Sequence, residues 1–276
     1  MTASPRYAWS WIASAAVVAI GAALALSIAQ NPNIDHATIV RYQFAPAILA
    51  GLRTTLVLAV ISAAVGLILG IVLAVMRLSQ NAFLRWASAT YTWAFRGTPL
   101  LVQILIWGNL ALLFKRVGFY VPFTNFALVS FNTNSVITPL VASVLALGLN
   151  EAAYMSEIVR SGILSVDRGQ VDAARALGLT GGLTMRRIVL PQALALAIPP
   201  SVNQFTNLLK ATSLVSVIAG GDLLTEAENI ASANLHTIEL LLVASFWFLA
   251  LTSLSTVGQH FVERRLGAYM PAARSR

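Results

Sequence analysis

The chain of 276 residues is 58% hydrophobic and only 10% charged, and its mean hydropathy is +0.77. A soluble domain carries about 25% charged residues, so a soluble globular enzyme is excluded, and so is disorder, because too much apolar area seeks burial. Cysteine is absent, which removes disulfides, thiolate zinc sites and a cysteine nucleophile, and His36, His236 and His260 lie far apart with no metal-ligand spacing.

A helix that crosses the hydrocarbon core needs about 20 mostly apolar residues. Six segments qualify. The first, 11–29, is clean. Arg6 and the small residues Ser27-Ile28-Ala29 also suit a secretory signal. Its apolar stretch exceeds the roughly 7–15 residues of such a region, which favours an uncleaved helix. The second, 56–76, carries no charge, and Gly66 and Gly70 form a G-x-x-x-G pair that permits close helix packing. The third, 98–114, is short and can begin nearer Thr92. Before it, Arg96-Gly97-Thr98-Pro99 predicts a helix start at the inner interface, with Thr98 capping and Pro99 in the first turn, rather than substrate contact.

The fourth, 136–149, must continue through Asn150, Glu151 and Tyr154 toward Arg160, so it carries acids to depth. The fifth, 192–219, is interrupted by Pro199, Pro200 and Lys210, which predicts a bent or broken helix. The sixth, 238–261, is clean after Glu239. Six crossings from an inner N-terminus leave 13 of the 18 Lys and Arg residues inside, as the positive-inside rule requires. That sorting also removes the nucleic-acid reading of the +8 net charge.

The inner loop 161–190 is patterned. Asp167 suits an N-cap, and Asp172, Ala173, Ala174 and Ala176 favour helix. Gly178 suits the stop. Val171, Ala174 and Leu177, three apart, predict a narrow apolar stripe facing the cytoplasm. A second short helix is expected over 183–189, ended by Pro191.

Asp172-Ala173-Ala174, then Gly178, Ile188 and Leu190-Pro191 resemble the EAA loop of ABC-transporter permeases at every spacing. The one departure is Asp172 in place of Glu, which keeps the carboxylate but shortens its reach. Phe95-Arg96-Gly97-Thr98-Pro99-Leu100-Leu101-Val102-Gln103, Tyr154 through Ile163, Pro191-Gln192-Ala193, Asn203-Gln204-Phe205 and Leu208 through Leu214 look like stretches of the polar amino-acid uptake branch. The resemblance runs from about Ala50 to Arg265. It implies an all-α polytopic membrane protein of about six transmembrane helices, a five-helix type I importer core with an extra N-terminal helix. The expected divisions are 1–46 for that helix and an outer loop, 47–265 for the permease domain with its coupling loop 161–190, and 266–276 for a cytoplasmic tail.

The same resemblance implies the partners. Separate ATP-binding cassette ATPase subunits would grip Asp172, Ala173, Ala174, Ala176, Leu177, Gly178 and Pro191. A second permease chain, identical or paralogous, would face this one, and an extracytoplasmic binding protein would deliver the amino acid. ATP and Mg would sit on the ATPase, since no G-x-x-x-x-G-K-[ST] motif occurs in this chain. The protein is expected in the bacterial inner membrane with both termini cytoplasmic, with no catalytic site, metal or cofactor of its own.

Polar residues at depth are candidates for the substrate path, because an unpaired charge at mid-bilayer costs about 2.5–3.5 kcal/mol on insertion scales. Glu151 lacks an obvious local partner. Glu157 has one in Arg160 at i, i+3, so a structural ion pair suffices there. Tyr154 lies between them. Asn203, Asn207 and Lys210 share one helical face. They line a cavity, or else they bond to other helices while Lys210 snorkels. Two other functions compete with the importer: an ion-coupled secondary transporter with no ATPase partner, and an intramembrane enzyme, which the lack of a deep nucleophile–base pair disfavours.

Overall fold

The computed structural model describes residues 5–120 and 127–267, so most of the expected tail lies outside the described residues. Helix α1 spans Pro5–Ala29, α2 His36–Tyr42, α3 Pro46–Leu78 and α4 Ala82–Gly97. Helices α5 (Leu100–Gly108) and α6 (Leu110–Leu113) lead into a hairpin of β1 (Arg116–Tyr120) and β2 (Ala127–Asn132). Then come α7 (Thr133–Val136), α8 (Pro139–Leu164), α9 (Arg168–Ala176) and α10 (Gly181–Thr184). A π turn (Met185–Val189) opens α11 (Leu190–Ala211), and a 3-10 turn (Thr212–Ile218) closes it. Helices α12 (Leu223–Asn234) and α13 (Thr237–Gly267) complete the chain.

Among the described residues two helices are long and apolar enough to cross a membrane alone, Pro46–Leu78 and Thr237–Arg265. A third crossing arises if Gly181–Ile218 and Leu223–Asn234, bent by 43°, form one span. Helix α8 has the length, but Asn150, Glu151, Glu157 and Arg160 interrupt its apolar run. The expected third span is divided: α5 has nine residues, about 13 Å of rise, and needs α4 to complete a crossing. The antiparallel β1–β2 hairpin, paired from Arg116↔Asn132 to Phe119↔Val129, and α12 were not legible in the hydropathy. The prolines did not break the fifth helix either. α11 runs through Pro199 and Pro200, and the bend falls beyond Ile218.

The core forms around α3 and α8. A Cβ at Gly66 would lie 2.7 Å from Glu151 Cβ, and one at Gly70 would lie 2.6 Å from Met155 Cβ. The two glycines therefore let the backbones touch, as the G-x-x-x-G spacing predicts. Residue numbers rise together across this contact, so α3 and α8 run parallel, and Leu78 and Leu164 reach the same end of the bundle. That end carries α9 and an excess of arginine. At the opposite end Gly51 packs on Asp222 and Leu223.

Helix α2 is clamped to α13 at that opposite end. The Trp247 indole donates to Gln43 O at 2.9 Å, and the Asp35 N–H donates to Glu239 Oε1 at 2.9 Å. Asp35 caps α2: Oδ1 accepts from Ala37 N–H at 2.9 Å and Oδ2 from the Thr38 hydroxyl at 2.7 Å. The Thr38 hydroxyl, then the Thr38 amide, hold the Asp35 carboxyl below its ordinary range. A carboxyl depressed on folding stabilises above its unfolded pKa, and the benefit is lost as pH falls through the folded value. The protection factors of the amides over 36–42, relative to intrinsic exchange at the same pH, should therefore fall on acidification below about pH 4. Asp35→Ala should give that loss of protection already at neutral pH, read by hydrogen–deuterium exchange; unchanged protection would show that the cap does not hold α2.

Candidate functional site

The site begins with a broken helix. Pro99 has no N–H and its ring disfavours helical geometry in the residue before it. Thr98 is accordingly extended, with φ −106° and ψ 140°, and α4 ends at Gly97. The break leaves carbonyls without a partner inside the helix. Buried side chains meet them. Gln103 Nε2 donates to Phe95 O at 2.9 Å, Thr98 O at 3.1 Å and Thr98 Oγ1 at 2.8 Å, and Asn150 Nδ2 donates to Phe95 O at 2.9 Å. Thr98 does not cap the next helix as expected. Its hydroxyl donates back to Ala94 O, and Pro99 occupies the cap position of α5.

The break places Arg96 over Tyr154 of α8. Its guanidinium lies 5.2 Å from the centre of the Tyr154 ring, a cation–π contact. Between the break, α8 and α11 is a cavity of about 530 Å³, to which Arg96, Glu151, Tyr154, Gln204 and Asn207 contribute polar groups. Glu151 is only 2% exposed. Its Oε2 accepts from Gln204 Nε2 at 3.0 Å, while Oε1 is buried with no partner among the described residues. Gly66 is what allows a side chain of this size to lie against α3.

A neighbouring hollow of about 400 Å³ shares Arg96, Tyr154 and Gln204 and adds Glu157 and Asn203. Glu157 is already neutralised, since its Oε2 accepts from Arg160 Nη2 at 2.6 Å and Nε at 3.0 Å. A larger groove of about 890 Å³ between α3, α8 and α11 is almost wholly apolar and offers little to an amino acid.

Of the residues expected on the substrate path, Glu151, Tyr154 and Asn207 share the main cavity, and Glu157 and Asn203 line its neighbour. Lys210 lines neither. It is exposed on α11 together with Asn203 and Asn207, on the face their spacing predicts. Arg96 does not lie at the inner interface as expected; it lies over the ring of Tyr154, well inside the end marked by Leu78. Gln103 and Gln204 were also missed. A charge followed by Gly-Thr-Pro inside an apolar stretch was the available signal.

The loop that joins α8 to α11 folds as its caps dictate. Asp167 Oδ1 accepts from Gly169 N–H at 2.6 Å. Gly178 is left-handed at φ +78°; its N–H donates to Arg175 O at 2.9 Å and the Leu179 N–H to Ala174 O at 3.1 Å, which is a Schellman ending. The apolar stripe does not all face outward. Val171 packs on Val166, Val189 and Ala193, and Ala174 is buried, while Leu177 is 81% exposed beside exposed Asp172, Ala173 and Ala176. The expected second helix is not ended by Pro191. The π turn Met185–Val189 carries the chain into α11, and the Leu190 N–H reaches Met185 O. A wide turn relieves the clash a proline ring makes with the preceding turn. Gln192 Nε2 donates to Gln170 Oε1 at 2.6 Å and ties α9 to the start of α11.

A parallel glycine-packed helix pair, a broken helix lining a polar cavity and a capped loop helix together define a membrane permease. The chain belongs to the family of binding-protein-dependent transport system inner membrane components, matched over residues 66–268. Within that family it is a permease subunit of an amino-acid ABC importer. It is 39% identical over 260 residues to the arginine transport system permease ArgU of Corynebacterium glutamicum, covering 94% of this chain and 80% of that one. It is 37% identical over 233 residues to the L-cystine permease TcyB of Bacillus subtilis, covering 84% and 92%. A solved amino acid ABC transporter with histidines has the same fold, with a TM-score of 0.72 and 32% identity over 84% of this chain and 99% of that one.

Proposed function

We propose that this chain carries a polar amino acid through the cavity between α4, α8 and α11, driven by ATPase subunits docked on α9. The observation that carries this reading is the buried Glu151 side chain, which lines the cavity that Arg96 also lines and whose Oε1 has no partner among the described residues. A zwitterion supplies what both groups lack. Its ammonium, or a guanidinium side chain, binds Glu151, and its α-carboxylate binds Arg96, a charge-assisted pairing at each end. Gln204 and Asn207 add neutral hydrogen bonds. Arginine, cystine and glutamine, named for relatives of 33–39% identity, are the substrates to try first.

In this reading the arginine-rich end with α9 faces the cytoplasm, as do both termini. Asp172, Ala173, Ala176 and Leu177 form the ATPase contact, with Ala174 and Gly178 fixing the helix. ATP and Mg bind the ATPase, a second permease chain covers the exposed face of Asn203, Asn207 and Lys210, and a binding protein delivers the amino acid at the α2 end.

The test is equilibrium binding of labelled L-arginine, L-cystine and L-glutamine to the purified permease, with uptake by the complex in proteoliposomes. Glu151→Gln keeps the shape and removes the charge. It should weaken binding about tenfold or more, and wild-type uptake should require ATP and the ATPase. Uptake that persists without any ATPase would overturn the importer reading, and binding indifferent to Glu151→Gln would overturn the site.

A further inference from the structure

The cavity beside Glu151 does not end at Arg96. A hollow of about 430 Å³ shares Arg96, Gly97 and Tyr154 with it and adds Arg77 and Glu157. A last hollow of about 480 Å³ shares Arg77 and Ala89 and adds Arg85 and Trp86. The series runs along α4 to the α3–α4 turn, at the end of the bundle that carries α9. Three guanidinium groups mark it in order. Among the described residues none of them pairs with a carboxylate.

Their existing bonds leave donors free. Arg77 Nη1 donates to Arg85 O at 3.2 Å, and Arg85 Nη1 donates to Ser79 O at 3.2 Å and Gln80 O at 2.9 Å. Among the described residues Arg96 rests on the Tyr154 ring alone. Each guanidinium has five N–H groups in a fork that fits a carboxylate. The only acid lining these two hollows, Glu157, is occupied by Arg160. Arg85 and Arg96 are eleven residues apart on α4, about 16 Å of rise, too far for one carboxylate to touch both. Arg77, which lines both hollows, bridges that interval.

We infer that the amino acid leaves carboxylate first, its α-carboxylate passing from Arg96 to Arg77 and then to Arg85 toward the α9 end. The inference rests on the reading of the Glu151 cavity as the amino-acid site. Arg96 binds and Arg77 relays, so their variants should differ. Arg96→Gln should weaken equilibrium binding. Arg77→Gln should leave binding and thermal stability unchanged and lower the maximal uptake rate about tenfold, and Arg77→Lys, which keeps the charge, should restore most of it.

The experiment uses the permease assembled with its ATPase and binding protein, in vesicles of zwitterionic lipid alone and with anionic lipid added. The probes are labelled L-arginine, L-cystine and L-glutamine. The expected result is a rate-only defect of Arg77→Gln in both vesicles, rescued by lysine. An unchanged rate overturns the relay. So does loss of binding together with rate, which would make Arg77 part of the site or the fold. A defect confined to anionic vesicles overturns it too, because the arginines would then be holding lipid headgroups. Binding by the wild type that ignores Glu151→Gln removes the site and the relay together, whereas Glu151-dependent binding with a normal Arg77→Gln rate removes the relay alone.

Discussion

Gly178→Val should uncouple the permease from its ATPase, with copurification and ATP-driven uptake both falling about tenfold or more. Gly178 is held at φ +78° by two backbone bonds that close α9. A residue with a Cβ pays roughly 1–2 kcal/mol in the left-handed region, and a β-branched one more; about 1.4 kcal/mol is a tenfold change in an equilibrium. A Cβ there meets nothing within 4 Å, so the effect is conformational and not a collision. Gly178→Asn should therefore be tolerated, since asparagine enters this region readily. The check is pull-down of the ATPase alongside uptake. Equal loss in both variants would assign the glycine to direct contact with the partner, and no loss in either would remove α9 from the coupling.

Gly66→Val should have the second large effect, on folding and transport together. A Cβ at Gly66 would lie 2.7 Å from Glu151 Cβ and 3.3 Å from Ala152 N. The backbone amide cannot yield without moving α8. Overpacking of this kind costs about 1–3 kcal/mol, and the strain falls on the residue that carries the buried carboxylate. The melting temperature in detergent should drop by several degrees, on the order of 2–8 °C, and amino-acid binding should weaken with it. Gly21→Val is the control, because a Cβ at Gly21 meets nothing within 4 Å. A normal melting temperature for Gly66→Val would mean that α3 and α8 do not pack this closely.

Local chemistry made part of this structure legible in advance. Asp167 and Gly178 bound α9 because caps are written within a few residues of the bonds they make. The bare apolar runs of α3 and α13 announced themselves by composition, and the Gly66–Gly70 spacing announced a close contact, although its partner on α8 was not nameable. The Glu157–Arg160 pair followed from i, i+3 geometry alone. What stayed hidden depends on depth along the membrane normal. Arg96 reads the same at an interface as in a cavity. Only the fold, with Gln103 and Asn150 satisfying the carbonyls of a break inside the bundle, distinguishes the two. The path of α11 through Pro199 and Pro200 was hidden for a related reason, since neighbouring helices can absorb the lost bonds.

The wide turn at Met185–Val189 sets an azimuth. Each residue in an α-helix advances the chain by about 100° around its axis, so the surplus residue held in Met185–Val189 fixes the phase of everything that follows in α11. Gln204 meets Glu151, and Asn207 lines the same cavity, because of an offset made some fifteen residues upstream, beside the contact between Gln192 and Gln170. The same few residues that anchor the loop therefore also index which side chains line the cavity. A change of winding there would rotate this lining as a whole, with no side chain in it altered.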